Sequence, residues 1–277
     1  MTATPPNHTY PLQSYGLIKI SGADSLKFLQ GQLSCDMTKI TPTSGSMVAH
    51  CNPKGRVLSL CYALYSEDAY FLVTPLSMVT VAMIGLKKYA QFYKTTLSDV
   101  TSEYAVMGCT TELIPKESLC YTTLPATSSR KIYLATNLRH ENTSDEWKQL
   151  DITDQLPAIY PETSGLFLPH ELNLPHLGAI SFDKGCFTGQ EIIARMHYRA
   201  TLKKRMYLAY SESLHEPGHE IHRDSAKTST IATVVDSSRM RLNNKYPTLI
   251  TANDADINSE IFTDLGISIQ TQQSETK

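Results

Sequence analysis

The chain has 277 residues, 41% of them hydrophobic and 19% charged, and a formal net charge of −2. That length is enough to bury a large core, as one large or two modest domains. The slight acidity excludes nucleic-acid binding by overall basicity, while leaving room for a local basic patch.

Residues 1–13 are polar and Pro-containing and read as a flexible lead-in, without the apolar stretch of a secretory signal or an Arg-rich amphipathic pattern. No apolar run is long enough to span a membrane. The cysteines, Cys35, Cys51, Cys61, Cys109, Cys120 and Cys186, form no C-x-x-C pair and no zinc-like grouping. A chain of this length needs no disulfide scaffold, so reduced thiols and a cytoplasmic location are expected, with no metal or cluster of its own.

Residues 17–20 read as a first strand, and Ser21-Gly22-Ala23-Asp24 as the capped start of a helix. That helix carries Leu26, Phe28, Leu29 and Leu33 and ends in Gln30-Gly31-Gln32. Residues 47–50 read as a strand, Asn52-Pro53-Lys54-Gly55-Arg56 as a hairpin turn, and 57–65 as a long apolar strand. Residues 69–73 continue the sheet. Pro75, at a first helical position, opens a helix of about twenty residues through Met78, Val79, Met83, Leu86, Tyr89 and Phe92. Strands are expected at 96–100, 104–109 and 131–135, with loops at Pro115 and along 122–129. A short helix near 144–150 holds the only tryptophan, Trp147. Further on, 206–210, 231–235 and 248–251 read as strands of a small β domain, and 270–277 as a disordered tail. Strands and helices mix without a βαβ repeat, and neither G-x-G-x-x-G nor a P-loop occurs. The expected class is α+β with antiparallel sheets.

The chemistry concentrates in Phe182-Asp183-Lys184-Gly185-Cys186-Phe187-Thr188-Gly189-Gln190-Glu191. Thr188 and Glu191 have the spacing of a capping box, and Ile192, Ile193 and Met196 give the apolar face of a short helix. Cys186 then lies just before a helix N-terminus and two residues from Lys184, and both features favour the thiolate. Gly185 and Gly189 allow a tight turn and a close approach. On spacing alone, Cys186 reads equally as a small buried filler and Glu191 as a cap. His170 and His176 are loop histidines near this stretch, but no oxyanion element accompanies them, which argues against a Cys–His hydrolase. Arg195, Arg199, Lys203, Lys204 and Arg205 place five cations in the eleven residues 195–205, with Tyr198 among them. The run is either a solvated helix end or an anion site.

Lys184 to Glu191, K-G-C-F-T-G-Q-E, resembles the K-G-C-Y/F-x-G-Q-E signature of the YgfZ-type folate-dependent proteins that help make or maintain iron–sulfur clusters. These are relatives of the glycine-cleavage T-protein, an aminomethyltransferase. Gly22-Ala23-Asp24 through Phe28-Leu29-Gln30-Gly31-Gln32 is similar to the family's N-terminal segment, and Pro53-Lys54-Gly55-Arg56 matches its pattern too. Residues 157–181 resemble its approach to the signature. The chain departs from the family at Ala200-Thr201, where Gly-Lys is usual, and matches poorly beyond residue 206.

The resemblance implies an aminomethyltransferase-like folate-binding region over 14–200 and a small β-barrel-like domain over 201–269. It implies tetrahydrofolate, with one or several glutamates, in a central cavity faced by the Cys186 loop. Lys184 would keep the thiol ionised, and Gly185, Phe187, Thr188, Gly189, Gln190 and Glu191 would shape the loop. Arg195, Tyr198, Arg199 and Lys54 would contact the cofactor. The implied partners are folate and iron–sulfur proteins or their assembly machinery. One alternative is a folate-dependent aminomethyl or one-carbon transferase, although the T-protein lacks this cysteine and the Gln-Glu pairing. Another is an RNA-binding module through 195–205, against which the acidic balance and the lack of interleaved aromatics count.

Overall fold

In the computed structural model, residues 8–110, 114–116, 118–125, 130–136, 145–199, 202–223, 229–257 and 260–270 are described. The first strands and helices are β1 (Thr9–Pro11), β2 (Tyr15–Ser21), α1 (Ser25–Gln32), β3 (Ser46–Cys51), β4 (Val57–Ser66) and β5 (Ala69–Pro75). Then come α2 (Val79–Ala90), β6 (Thr96–Asp99), β7 (Tyr104–Cys109), β8 (Ser118–Thr123), β9 (Lys131–Thr136) and α3 (Asp145–Thr153). A 3-10 turn at Pro169–Leu172 precedes α4 (Gln190–Arg199). The chain ends in β10 (Lys204–Ser211), β11 (Glu220–His222), β12 (Thr230–Ser237), β13 (Tyr246–Asn253), α5 (Glu260–Asp264) and β14 (Ile267–Gln270).

The strands form three antiparallel sheets, in the orders β3-β4-β5-β2-β6, β1-β7-β9-β8 and β11-β12-β13-β10-β14. The first is buried on both faces. Ile18, Ile20, Ala63 and Leu72 pack with Phe28 and Leu29 of α1 and Val79, Ala82 and Leu86 of α2. Leu17, Ala49, Leu60, Leu64 and Val73 face the larger core shared with the other sheets. Burial on two faces is why these strands read as unbroken apolar runs rather than alternating ones. That larger core also takes in Met206, Leu208, Val235 and Leu249, so the C-terminal sheet closes over it.

Several expectations need correction. Part of the lead-in is a strand: Thr9 to Pro11 pair with Cys109 to Met107, and Tyr10 is buried 5.5 Å from the Trp147 ring. Residues 1–7 lie outside the described residues. Pro75 does not open a helix. It ends β5 opposite Tyr15, and a 3-10 turn at Leu76–Met78 intervenes before α2, which stops at Ala90 and leaves Phe92 exposed. β8 runs to Thr123 and so takes the first two residues of the expected loop at 122–129, of which residues 126–129 are outside the described set. The C-terminal sheet gains β11 and β14 as edge strands, which pair with β12 and β10 but not with each other. It is therefore an open sheet and not a closed barrel. Residues 200, 201 and 271–277, and with them the Ala200-Thr201 departure and the tail, lie outside the described residues.

Candidate functional site

Local backbone geometry sets the signature. Gly189 has φ +85°, and its carbonyl accepts the N–H of Ile193 (3.2 Å), so Gly189 caps α4. A Cβ there would sit 2.6 Å from the Asn52 carbonyl oxygen and 3.1 Å from Gly55 Cα, so only glycine fits. This shifts the helix start by one residue and breaks the expected capping box. Thr188 instead gives its N–H to the Gly31 carbonyl (3.2 Å), and its hydroxyl lies 3.4 Å from Gln32 Oε1. Gln190 Oε1 accepts the N–H of Phe187 (3.3 Å), while Glu191 is exposed.

Lys184 is buried, and its Nζ donates to the carbonyls of Leu33 and Cys35, both at 2.7 Å. It also stands 5.1 Å from the centroid of the buried Phe187 ring. Burial pulls its pKa down to about 8. No hydrogen bond joins Lys184 to Cys186 among the described residues; the ammonium is committed to the end of α1. Cys186 is exposed, and the other five thiols are buried. Burial pushes Cys35, Cys51 and Cys120 up to about 12 and Cys61 to about 11. Three separate sequence segments thus converge here: the end of α1 under Lys184, the Asn52–Gly55 turn under Gly189, and the signature itself.

Phe182, just before the signature, is a wall between two openings. On one side is a groove of about 420 Å³ lined by Asp36, Lys39, Ser46, Ser181, Phe182 and Asp183, among others. Asp36 is held there by Gln30 Nε2 (3.0 Å) and by the Thr38 N–H (3.1 Å) and hydroxyl (2.7 Å), and the Thr38 hydroxyl leads in lowering its pKa. On the other side is a pocket of about 290 Å³ reached by His170, His197 and Arg205. Arg195, Arg199 and Tyr198 are exposed on α4 and line neither opening, although Tyr198 stands edge-on to Phe182 at 5.9 Å. Lys54 is exposed on its turn.

The centre of the molecule holds a cluster that sequence spacing did not reveal. Arg130 binds Asp151 (2.8 Å) and Asp154 (2.8 Å) and lies 4.5 Å from the Trp147 ring. Tyr15 donates to Asp151 (2.9 Å), and Lys148 pairs with Asp236 and Tyr160. Burial raises the pKa of both Asp151 and Asp236 against the pull of their cations. The space beside this cluster, lined by Tyr15, Tyr62, Lys148 and Asp151, is only about 10 Å³. That is room for about one water, so a pterin does not fit this space beside the cluster as it is packed.

No family model matches the chain. It is 33% identical over 230 residues to the tRNA-modifying protein YgfZ of Escherichia coli O157:H7, covering 71% of this chain and 70% of that one. The chain belongs to the YgfZ family. A second YgfZ relative, from Sodalis glossinidius, is 31% identical over 238 residues, covering 74% of this chain and 72% of its own. An uncharacterized protein of Haemophilus influenzae is 34% identical over 236 residues, covering 81% of this chain and 83% of its own. The aminomethyltransferase T of the glycine cleavage system of Bartonella henselae superposes with a TM-score of 0.66 at 10% identity, covering 96% of this chain and 82% of that one. This YgfZ-family chain therefore has the aminomethyltransferase fold. Among its described residues no helix is long and apolar enough to cross a membrane, and no group of metal-ligating side chains is found.

Proposed function

We propose that this chain is a cytoplasmic, folate-dependent factor for the assembly or repair of iron–sulfur clusters in other proteins, with Cys186 as its working thiol. The observation that carries the reading is Cys186 itself, the one exposed cysteine of six, on a loop clamped at both ends. A thiol meant only to fill the core would be buried like the other five.

The space beside the central charged cluster is too small for a pterin, and the lining of the 420 Å³ groove supports a site there instead. Asp36 and Asp183 offer carboxylates to the amino and ring N–H donors of a pterin, Phe182 an apolar wall, and Lys39 a cation for the glutamate carboxylate. A polyglutamate extension rounding Phe182 would meet Tyr198 and the exposed Arg195 and Arg199. Bound tetrahydrofolate supplies reduced pterin nitrogens able to carry a one-carbon unit. The protein's part is to orient that ring beside the Cys186 loop and to hold the loop still through Lys184. The fold alone favours a second reading, a folate-dependent one-carbon transferase, in which Cys186 has no role.

The test is a calorimetric titration of the reduced protein with tetrahydrofolate, followed by complementation of a deletion strain. Saturable binding is expected, tighter for the polyglutamate and weakened about tenfold by Asp183→Asn. Cys186→Ser should keep this binding and lose rescue of iron–sulfur enzyme activity. Absence of binding, or full rescue by Cys186→Ser, overturns the reading.

A further inference from the structure

The pocket on the far side of Phe182 is not the pterin site of the folate reading, which reaches this side only through the cations of α4. It lies between the Pro169–Leu172 turn, α4 and the start of β10, and its lining includes His170, Asn173, His176, Met196, His197 and Arg205. No carboxylate lines it. His170 is only 4% exposed, and both its ring nitrogens are buried without a hydrogen-bond partner. A buried nitrogen left unpaired is costly, and a polar group entering the pocket would pair it. Burial, with smaller contributions from His197 and His176, brings its pKa down to about 4. The ring is then neutral near pH 7 and offers one N–H donor and one acceptor.

The rest of the pocket is aromatic and cationic. Phe182 stacks on His197 at 3.9 Å with 17° between the rings, and Tyr198 stands edge-on to His197 at 4.8 Å. Arg205 is ion-paired through Nε with Asp254 (3.2 Å), which leaves its terminal nitrogens for an anion. Arg195, Arg199 and Lys203 are exposed nearby in the chain. The aromatics missing from the linear pattern of the basic run are thus supplied in space by Phe182.

A flat ring carrying both donors and acceptors on its edge, attached to an anion, complements these groups. At about 290 Å³ the pocket is at the small end of ligand sites, which run from about 300 to 1,000 Å³, so it takes one base and not an entire folate. We propose that this pocket binds a nucleotide, with the base edge on His170, the ring against the Phe182–His197 stack and the phosphate toward Arg205. A free nucleotide and an unpaired residue of an RNA strand share this chemistry. In the second case Arg195, Arg199 and Lys203 would take the flanking phosphates. The folate reading concerns the other opening and is judged by its own titration, so either can fail alone.

The experiment is calorimetry of the full chain with AMP, GMP, CMP, UMP and a short single-stranded RNA. Three variants are compared: His170→Phe, which keeps a buried ring without nitrogens; Met196→Trp, which fills the pocket; and Arg205→Gln. Saturable binding is expected, weakened about tenfold or more by each of the first two. Arg205→Gln should reduce the slope of log K against log salt by about one for the RNA. Binding of free nucleotides identifies a small-molecule ligand, and binding of RNA alone identifies a strand; either supports the pocket only if Met196→Trp, folded by its melting curve, weakens it, or, where that variant does not fold, if a folded His170→Phe does. Absence of binding by all five ligands, or affinity unchanged in a folded Met196→Trp, overturns the proposal.

Discussion

Replacing Lys184 with methionine will destabilise the protein by an amount that grows as the pH rises. Methionine matches much of the lysine's volume but leaves the Leu33 and Cys35 carbonyls unpaired, at about 1–3 kcal/mol each. Against this, the variant escapes the cost of burying an ammonium. The shift of Lys184 from 10.5 to about 8 corresponds to about 3 kcal/mol of that cost. Below pH 8 the lysine is protonated in both states and the cost is present in full. Between about 8 and 10.5 the unfolded chain binds the proton and the folded chain has released it, so wild-type stability gains about 1.4 kcal/mol per pH unit from this group. Methionine gains nothing. The destabilisation is therefore about 1 kcal/mol near pH 7 and about 4 kcal/mol near pH 10.5. Urea unfolding of both proteins across this range, followed by circular dichroism, measures the difference, and titrations common to both cancel. A difference that stays flat with pH would refute the placement of Lys184 as a buried, carbonyl-bound amine.

Iodoacetamide should modify one cysteine per native chain and all six after unfolding in urea, because only Cys186 is exposed and burial raises the pKa of at least four of the others. Peptide mass spectrometry assigns the site, and rapid labelling of any second thiol in the native protein contradicts this account. Two signature glycines should differ sharply on substitution by alanine. Gly189→Ala combines a positive φ with a 2.6 Å clash and should lower Tm by about 5–10 °C. A Cβ on Gly185 meets nothing within 4 Å, so Gly185→Ala should shift Tm by about 1 °C. Equal shifts would show that the loop is not pinned against the Asn52 turn.

Long apolar runs made β2 to β5, β10, β12 and β13 legible in the sequence, because strands buried on one or both faces must carry their own apolar residues. The edge strands β1, β8, β11 and β14 were not, since their stability comes from the strand they join. The signature's spacing pointed to the loop, the cysteine and the family resemblance. It misjudged the helix start by one residue, because the deciding contact is the Asn52 carbonyl against Gly189. It also paired Lys184 with the nearby thiol, whereas the ammonium binds a carbonyl 151 residues earlier in the chain. The Lys148–Asp236 pair spans 88 residues, and Phe182 joins the basic run only in space. The sequence by itself therefore determined the principal secondary elements, the fold class and the resemblance to the YgfZ family. Only the tertiary structure decided which thiol is exposed, what the lysine holds, how little room lies beside the central charged cluster and which pocket-lining histidine has both ring nitrogens unpaired. Each of these depends on burial and pairing between residues distant in the chain, about which local spacing carries no information.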